Sequence, residues 1–86
     1  MNNDKTIYPI QNEDGEKTTI TLDKLIADSL QKALPDVHTW MQNSYNEVCA
    51  KKSNLGRRQK GDLVRLLAVR EAKKWPGYKE MLDNYF

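Results

Sequence analysis

The chain has 86 residues, a formal charge of +2, and 38% hydrophobic against 30% charged residues, which fits one small domain with a core that is marginal for a monomer. No apolar run approaches the roughly 20 residues that span a membrane, so no membrane partner is expected. A single cysteine, Cys49, excludes an intrachain disulfide and offers no metal-site spacing, as befits a reducing compartment.

The opening residues, Met1-Asn2-Asn3-Asp4, are polar and lack the apolar core of a signal peptide, so the expected location is cytoplasmic. Residues 1–16 read either as a flexible N-terminal arm or as the first strand of a hairpin. Ile7-Tyr8-Pro9-Ile10 has strand-like composition, but Pro9 lacks a ladder donor and confines such a strand to an edge. Asn12-Glu13-Asp14-Gly15 is a turn signal, because Asp-Gly tolerates positive φ.

The clearest strand is Lys17-Thr18-Thr19-Ile20-Thr21-Leu22. Ile20 and Leu22 point to one face, and Lys17, Thr19 and Thr21 to the other. Asp23 then suits a helix N-cap whose carboxylate accepts a first-turn N–H. Leu25, Ile26, Leu30 and Leu34 form the apolar stripe of a first helix, which Pro35 ends. Asp36 caps a second helix, in which Val37, Trp40, Met41, Tyr45 and Val48 recur at helical spacing through about Lys52. Ser53-Asn54-Leu55-Gly56 reads as a stop and loop. A third helix covers roughly residues 58–74, beginning nearer Asp62 if Gly61 weakens its first turn. Its middle, residues 63–69, is apolar on nearly every side, which implies burial on more than one face. Beyond the Trp75-Pro76-Gly77 break, Tyr78, Met81, Leu82 and Tyr85 mark a last short amphipathic helix.

Charge is unevenly spread. Residues 1–36 hold four lysines against seven acids, whereas residues 37–86 hold ten basic residues against five acids, nine of the ten between Lys51 and Lys74. Such a stretch fits either a polyanion partner or a solvated helix face. Lys51 and Lys52 also suit the second helix's C-terminal dipole. Arg57, Arg58 and Lys60 together favour phosphate contact, which supplies affinity and salt dependence rather than sequence choice.

Nothing points to an enzyme. On one helix, His38 and Cys49 would have backbones about 16 Å apart, too far for a dyad. There is no glycine-rich phosphate loop and no paired-carboxylate pattern, so no catalytic residue, cofactor or metal is expected.

The order strand, helix, helix over residues 17–52 resembles the ribbon-helix-helix family of DNA-binding proteins. The segments that carry the resemblance are KTTITLD for the ribbon and first cap, LIADSLQKAL for the first helix and DVHTWMQNSYNEV for the second. The resemblance implies a mostly α fold with one short N-terminal β-strand, an intertwined homodimer whose paired strands enter the major groove, and a C-terminal helical extension over residues 53–86. It implies a sequence-specific double-stranded DNA-binding regulator: a transcriptional autorepressor, an antitoxin, or a plasmid partition or conjugation accessory factor. Lys17, Thr19 and Thr21 would then read bases, and the start of the second helix, Val37, His38 and Thr39, would hold a phosphate. Residues 58–86 would extend the dimer core or meet a protein partner. The other reading is a β-hairpin packed on a helical bundle, serving as a non-enzymatic protein-interaction module with a basic helical surface. What pairs with strand 17–22 separates the two.

Overall fold

A computed structural model describes residues 5–85; Met1–Asp4, the start of the expected arm, and Phe86 lie outside the described residues. Two strands come first, β1 (Lys5–Gln11) and β2 (Lys17–Asp23), and then four helices: α1 (Lys24–Ala33), α2 (Val37–Lys51), α3 (Arg57–Lys73) and α4 (Tyr78–Tyr85). The strand at 17–22 is therefore not a lone N-terminal strand. It pairs antiparallel with β1 of the same chain, Tyr8 opposite Ile20 and Pro9 opposite Thr19.

Pro9 is accommodated because of where it falls in the ladder. Its carbonyl meets the His38 ring Nε2 at 2.6 Å, outside the sheet. Antiparallel residues bond alternately to the partner strand and away from it. Pro9 occupies an outward position, so its missing N–H costs the ladder nothing. Two residues on, Gln42 completes that edge: its side chain accepts from Gln11 N–H at 2.8 Å and donates to Gln11 C=O at 3.0 Å.

The turn owes its shape to Asn12, whose buried side chain accepts from Asp14 N–H (2.9 Å) and Glu16 N–H (3.0 Å). Gly15 takes φ +81°, a conformation that disfavours other side chains. The inward face of the hairpin (Tyr8, Ile10, Ile20 and Leu22) is buried with Ile26 and Leu30 of α1, Met41 and Tyr45 of α2, and Val64 and Ala68 of α3. An isolated two-stranded hairpin is marginal in water, and these helices supply the surface it needs.

The helices follow the expected order with three differences. Asp23 precedes α1 but makes no side-chain cap; its carboxylate pairs with the Lys5 ammonium across the hairpin instead. Second, α3 starts at Arg57, one residue before the expected bound, and Gly61 does not delay it to Asp62. Gly61 is buried inside the helix, and the first turn is held by Gln59, whose side chain accepts from Gly56 N–H at 3.0 Å. Third, α3 leaves one side of its apolar middle open, although Leu63, Leu67 and Val69 pack partly against the core. Lys60, Gly61, Val64, Ala68 and Ala72 point inward, while Leu66 is 66% exposed. As expected, α4 is amphipathic; it packs on α1 of its own chain, where Met81 sulfur accepts from Ser29 hydroxyl at 3.5 Å and Tyr85 hydroxyl donates to Asp28 at 2.6 Å.

One ionic contact ties the turn to the helices. The Glu13 carboxylate accepts from the Lys60 ammonium at 2.6 Å and from the Tyr45 hydroxyl at 2.8 Å. Lys60 is only 5% exposed. The Lys60 ammonium, followed by Glu13's own N–H and the Tyr45 hydroxyl, holds the Glu13 carboxyl at about 2, against an ordinary 4.5. Desolvation, and then the bond to Glu13, pushes the Tyr45 phenol up. A depressed carboxyl stabilises the fold fully above its unfolded value and loses that contribution as pH falls through the folded one. The parent's melting advantage over Glu13→Gln should accordingly shrink as pH drops from 4.5 towards 2, read by thermal melts across that range. At neutral pH, Glu13→Gln should lower Tm more than Lys60→Met. The first strands a buried cation, and the second leaves a carboxylate that water still reaches.

Candidate nucleic-acid interface

The outward face of the hairpin carries Lys5, Ile7, Pro9 and Gln11 from β1 and Lys17, Thr19, Thr21 and Asp23 from β2. Strand alternation places them there, because their neighbours are the buried Tyr8, Ile10, Ile20 and Leu22. Lys17 and Thr19 are exposed and Thr21 is half-buried. Ile7, opposite Thr21, is 58% exposed, an apolar side chain set among polar ones. Sequence reasoning missed Ile7 and Gln11 as members of this face, since only their pairing register brings them beside Thr21 and Lys17.

Two clefts flank the hairpin. Beside β2, the strand edge and the first half of α3 enclose about 430 Å³, lined among others by Thr18, Thr19, Arg57, Arg58 and Arg65. Arg65 reaches the strand itself, donating from Nε to the Thr21 carbonyl at 3.0 Å, while its Nη1 meets Asp62 at 2.7 Å. Arg57 contacts Asp14 at 3.3 Å, and Arg58 has no ion pair among the described residues. Thr19 and the two arginines, almost forty positions apart in the chain, thus share one cleft. Beside β1, a second cleft is bordered by Pro9, Gln11, Lys17, His38 and Gln42.

Not every expected contact is available to a ligand. Lys60, expected as a phosphate clamp, is buried and its amine is committed to Glu13. The start of α2 is likewise taken. Val37 is buried, and His38 is tied to the Pro9 carbonyl. The Thr39 N–H donates to the Asp36 carboxylate at 3.1 Å, and the Thr39 hydroxyl to the same carboxylate at 2.7 Å. The Thr39 hydroxyl, then its N–H, holds the Asp36 carboxyl below its ordinary range. An anion already caps this helix, and it is the chain's own. Val37, His38 and Thr39 are therefore not gathered with Thr19, Arg57 and Arg58.

The basic segment is also less free than its composition implies. Lys51 pairs with Glu47, Arg57 with Asp14, Lys60 with Glu13, Arg65 with Asp62 and Lys74 with Glu71. Lys52, Arg58, Arg70 and Lys73 make no ion pair among the described residues. Within the described residues no three His, Cys, Asp or Glu side chains cluster as a metal site would require, and no helix is long and apolar enough to cross a membrane.

Removing the α2 cap tests this account of the helix start. Asp36→Ala should lower Tm by ~5 °C, the usual consequence of losing a helix cap in a domain of this size. It should also make Tm rise with added phosphate, whereas the parent's Tm should not respond through this helix end. Differential scanning fluorimetry in matched phosphate and chloride series reads both effects.

Comparison of the chain with protein-family models, with curated proteins and with solved structures finds no match.

Proposed function

We propose that this protein is a non-enzymatic, sequence-specific double-stranded DNA-binding regulator that lays the outward face of its hairpin in the major groove. The observation that carries the reading is the convergence of Thr19, on that face, with Arg57 and Arg58 in one cleft. Groups suited to base edges and groups suited to phosphates lie side by side.

The dimensions are compatible. Seven-residue strands rise about 3.4 Å per residue and lie about 4.8 Å apart. The major groove, ~12 Å wide, admits such a two-stranded ribbon. Thr19 and Thr21 offer hydroxyls that donate or accept at base edges, Lys17 suits guanine acceptors, and Ile7 suits a thymine methyl. Arg57 and Arg58, at the start of α3, would meet the phosphates along the groove wall and set register without reading sequence. Within ribbon-helix-helix dimers the two strands come from two chains, whereas β1 and β2 of one chain build the ribbon here. The homodimer implied by the resemblance belongs to the proposal in a modified form: each copy would contribute a whole ribbon to one half-site.

The test begins with selection of duplexes from a random library, followed by anisotropy titrations of an enriched site. Thr19→Ala and Thr21→Ala should each weaken the enriched site by roughly tenfold, as loss of a base contact does, with unrelated duplexes little affected. Arg58→Ala should weaken all duplexes alike and lower the salt dependence by about one phosphate contact. Absence of any enriched sequence, or ribbon variants that bind like the parent, would overturn the reading.

A further inference from the structure

On α3, the inward residues Lys60, Gly61, Val64, Ala68 and Ala72 define one face. At 100° per residue, Leu66 lies almost opposite that face, with Leu63 and Val69 on either side of it. Leu66 is 66% exposed, and Leu63, Leu67 and Val69 are only half-buried. Next to them a groove of about 430 Å³ runs between α2 and α3, floored by Val48, Leu63, Leu66 and Leu67 and edged by the Glu47–Lys51 pair, Lys52 and Arg70. Leu63, Leu67 and Val69 pack partly against the core, and the side of the helix at Leu66 is left uncovered within the chain.

Charge decides what fits the other face. Asp62 lies four residues before Leu66 and Arg70 four residues after it, both exposed and both on the Leu66 side of the helix. Each stands about 6 Å from Leu66 along the axis, on opposite sides. One Asp62 oxygen already meets Arg65 of the same helix at 2.7 Å, so a partner's Arg70 would share that carboxylate. When a second α3 is laid antiparallel with Leu66 on Leu66, Asp62 of one copy faces Arg70 of the other, twice over. Gln59 lies level with Lys73. A parallel arrangement would set Arg70 against Arg70. The surface is self-complementary in one orientation, which is what a twofold interface requires.

We propose that the exposed face of α3 is a homodimer interface, a second copy of this chain docking antiparallel with Leu66 on Leu66 and the α2–α3 groove at the edge of the contact. The inference rests on the homodimer part of the reading above and not on DNA recognition. It leaves the β1–β2 pairing intact, unlike a ribbon shared between chains.

The full-length chain is examined by sedimentation equilibrium and native mass spectrometry over the micromolar range, with far-UV circular dichroism as the check on folding. The parent should weigh twice 10.0 kDa. Leu66→Glu should remain folded and raise the dimer dissociation constant by roughly 100-fold or more, since it removes two central anchors. Asp62→Arg should weaken the dimer, and adding Arg70→Asp to it should restore association by reversing both ion pairs. Leu66→Cys in a Cys49→Ser background should oxidise to a covalent dimer. A folded monomer throughout the range overturns the proposal. So does a dimer that ignores Leu66→Glu and fails to cross-link, which would place the contact elsewhere, on the hairpin for instance. A monomer whose Leu66→Glu variant alone loses binding of a glutamate-rich amphipathic helix would also overturn it, assigning the groove to an acidic partner. DNA titration of the same Leu66→Glu monomer separates the two proposals, because a lone ribbon should retain weakened half-site binding.

Discussion

The Glu13 carboxylate is the contact on which the arrangement of this chain depends. It sits at the hairpin turn and receives the Lys60 ammonium from α3 and the Tyr45 hydroxyl from α2. Lys60 is buried, and a buried cation without a counter-charge is strongly destabilising. Neither the turn nor α3 can therefore shift without exposing or stranding a charge. The consequence for the candidate site is direct. Holding Lys60 against Glu13 brings Arg57, nearly one helical turn earlier, to Asp14, and Arg58 to the edge of β2. The ion pair that removes Lys60 from ligand contact is the one that delivers the two arginines to the cleft.

How much of this was legible in the sequence differs by element, and the reasons are physical. The alternation of β2 correctly sorted Ile20 and Leu22 from Lys17 and Thr19, because a half-buried strand has a period of two. The second strand was harder to read because Pro9 argues against a ladder. Only the register shows that its missing donor falls on the outward side, where His38 and Gln42 bond the strand edge. Helix caps behaved similarly. Asp36 caps as local chemistry dictates, while Asp23 is drawn away by Lys5, eighteen residues distant, which no local rule could reveal. Gly61 did not delay α3, because tertiary packing around a buried glycine outweighs a propensity cost of about 1 kcal/mol.

The charge run between Lys51 and Lys74 shows the limit of composition more sharply. Its basic residues looked equivalent in the chain. In the fold, five of them meet acids, and one of those five, Lys60, is buried. The acidic turn residues Glu13 and Asp14, two of the seven acids that give residues 1–36 their negative balance, are the partners of Lys60 and Arg57. The opposite charges of the two halves of the chain thus act partly within the molecule, joining its two ends. What makes no ion pair among the described residues, Lys52, Arg58, Arg70 and Lys73, is a smaller set, and Arg58 alone of these lines the cleft shared with Thr19.

The proposed dimer and the proposed ribbon place separate demands on α3, and the helix is long enough to meet both. Its first turn carries Arg57 and Arg58 beside β2, and its centre carries Leu66. Eight residues separate Arg58 from Leu66, about 12 Å of helix. In an antiparallel pair centred on Leu66 the two arginine ends point away from each other, so the two Arg58 positions stand about 24 Å apart along the axis, and each hairpin runs beside its helix from that end to Arg65, which bonds the Thr21 carbonyl. Half-sites on one face of duplex DNA recur every 34–36 Å or so. The helix pair would supply part of that spacing, and the lateral offset between the packed helices adds to it. The same seventeen-residue helix would then set both the pairing of two chains and the separation of their ribbons. An apolar residue left in water at its centre becomes intelligible as the point from which that separation is measured.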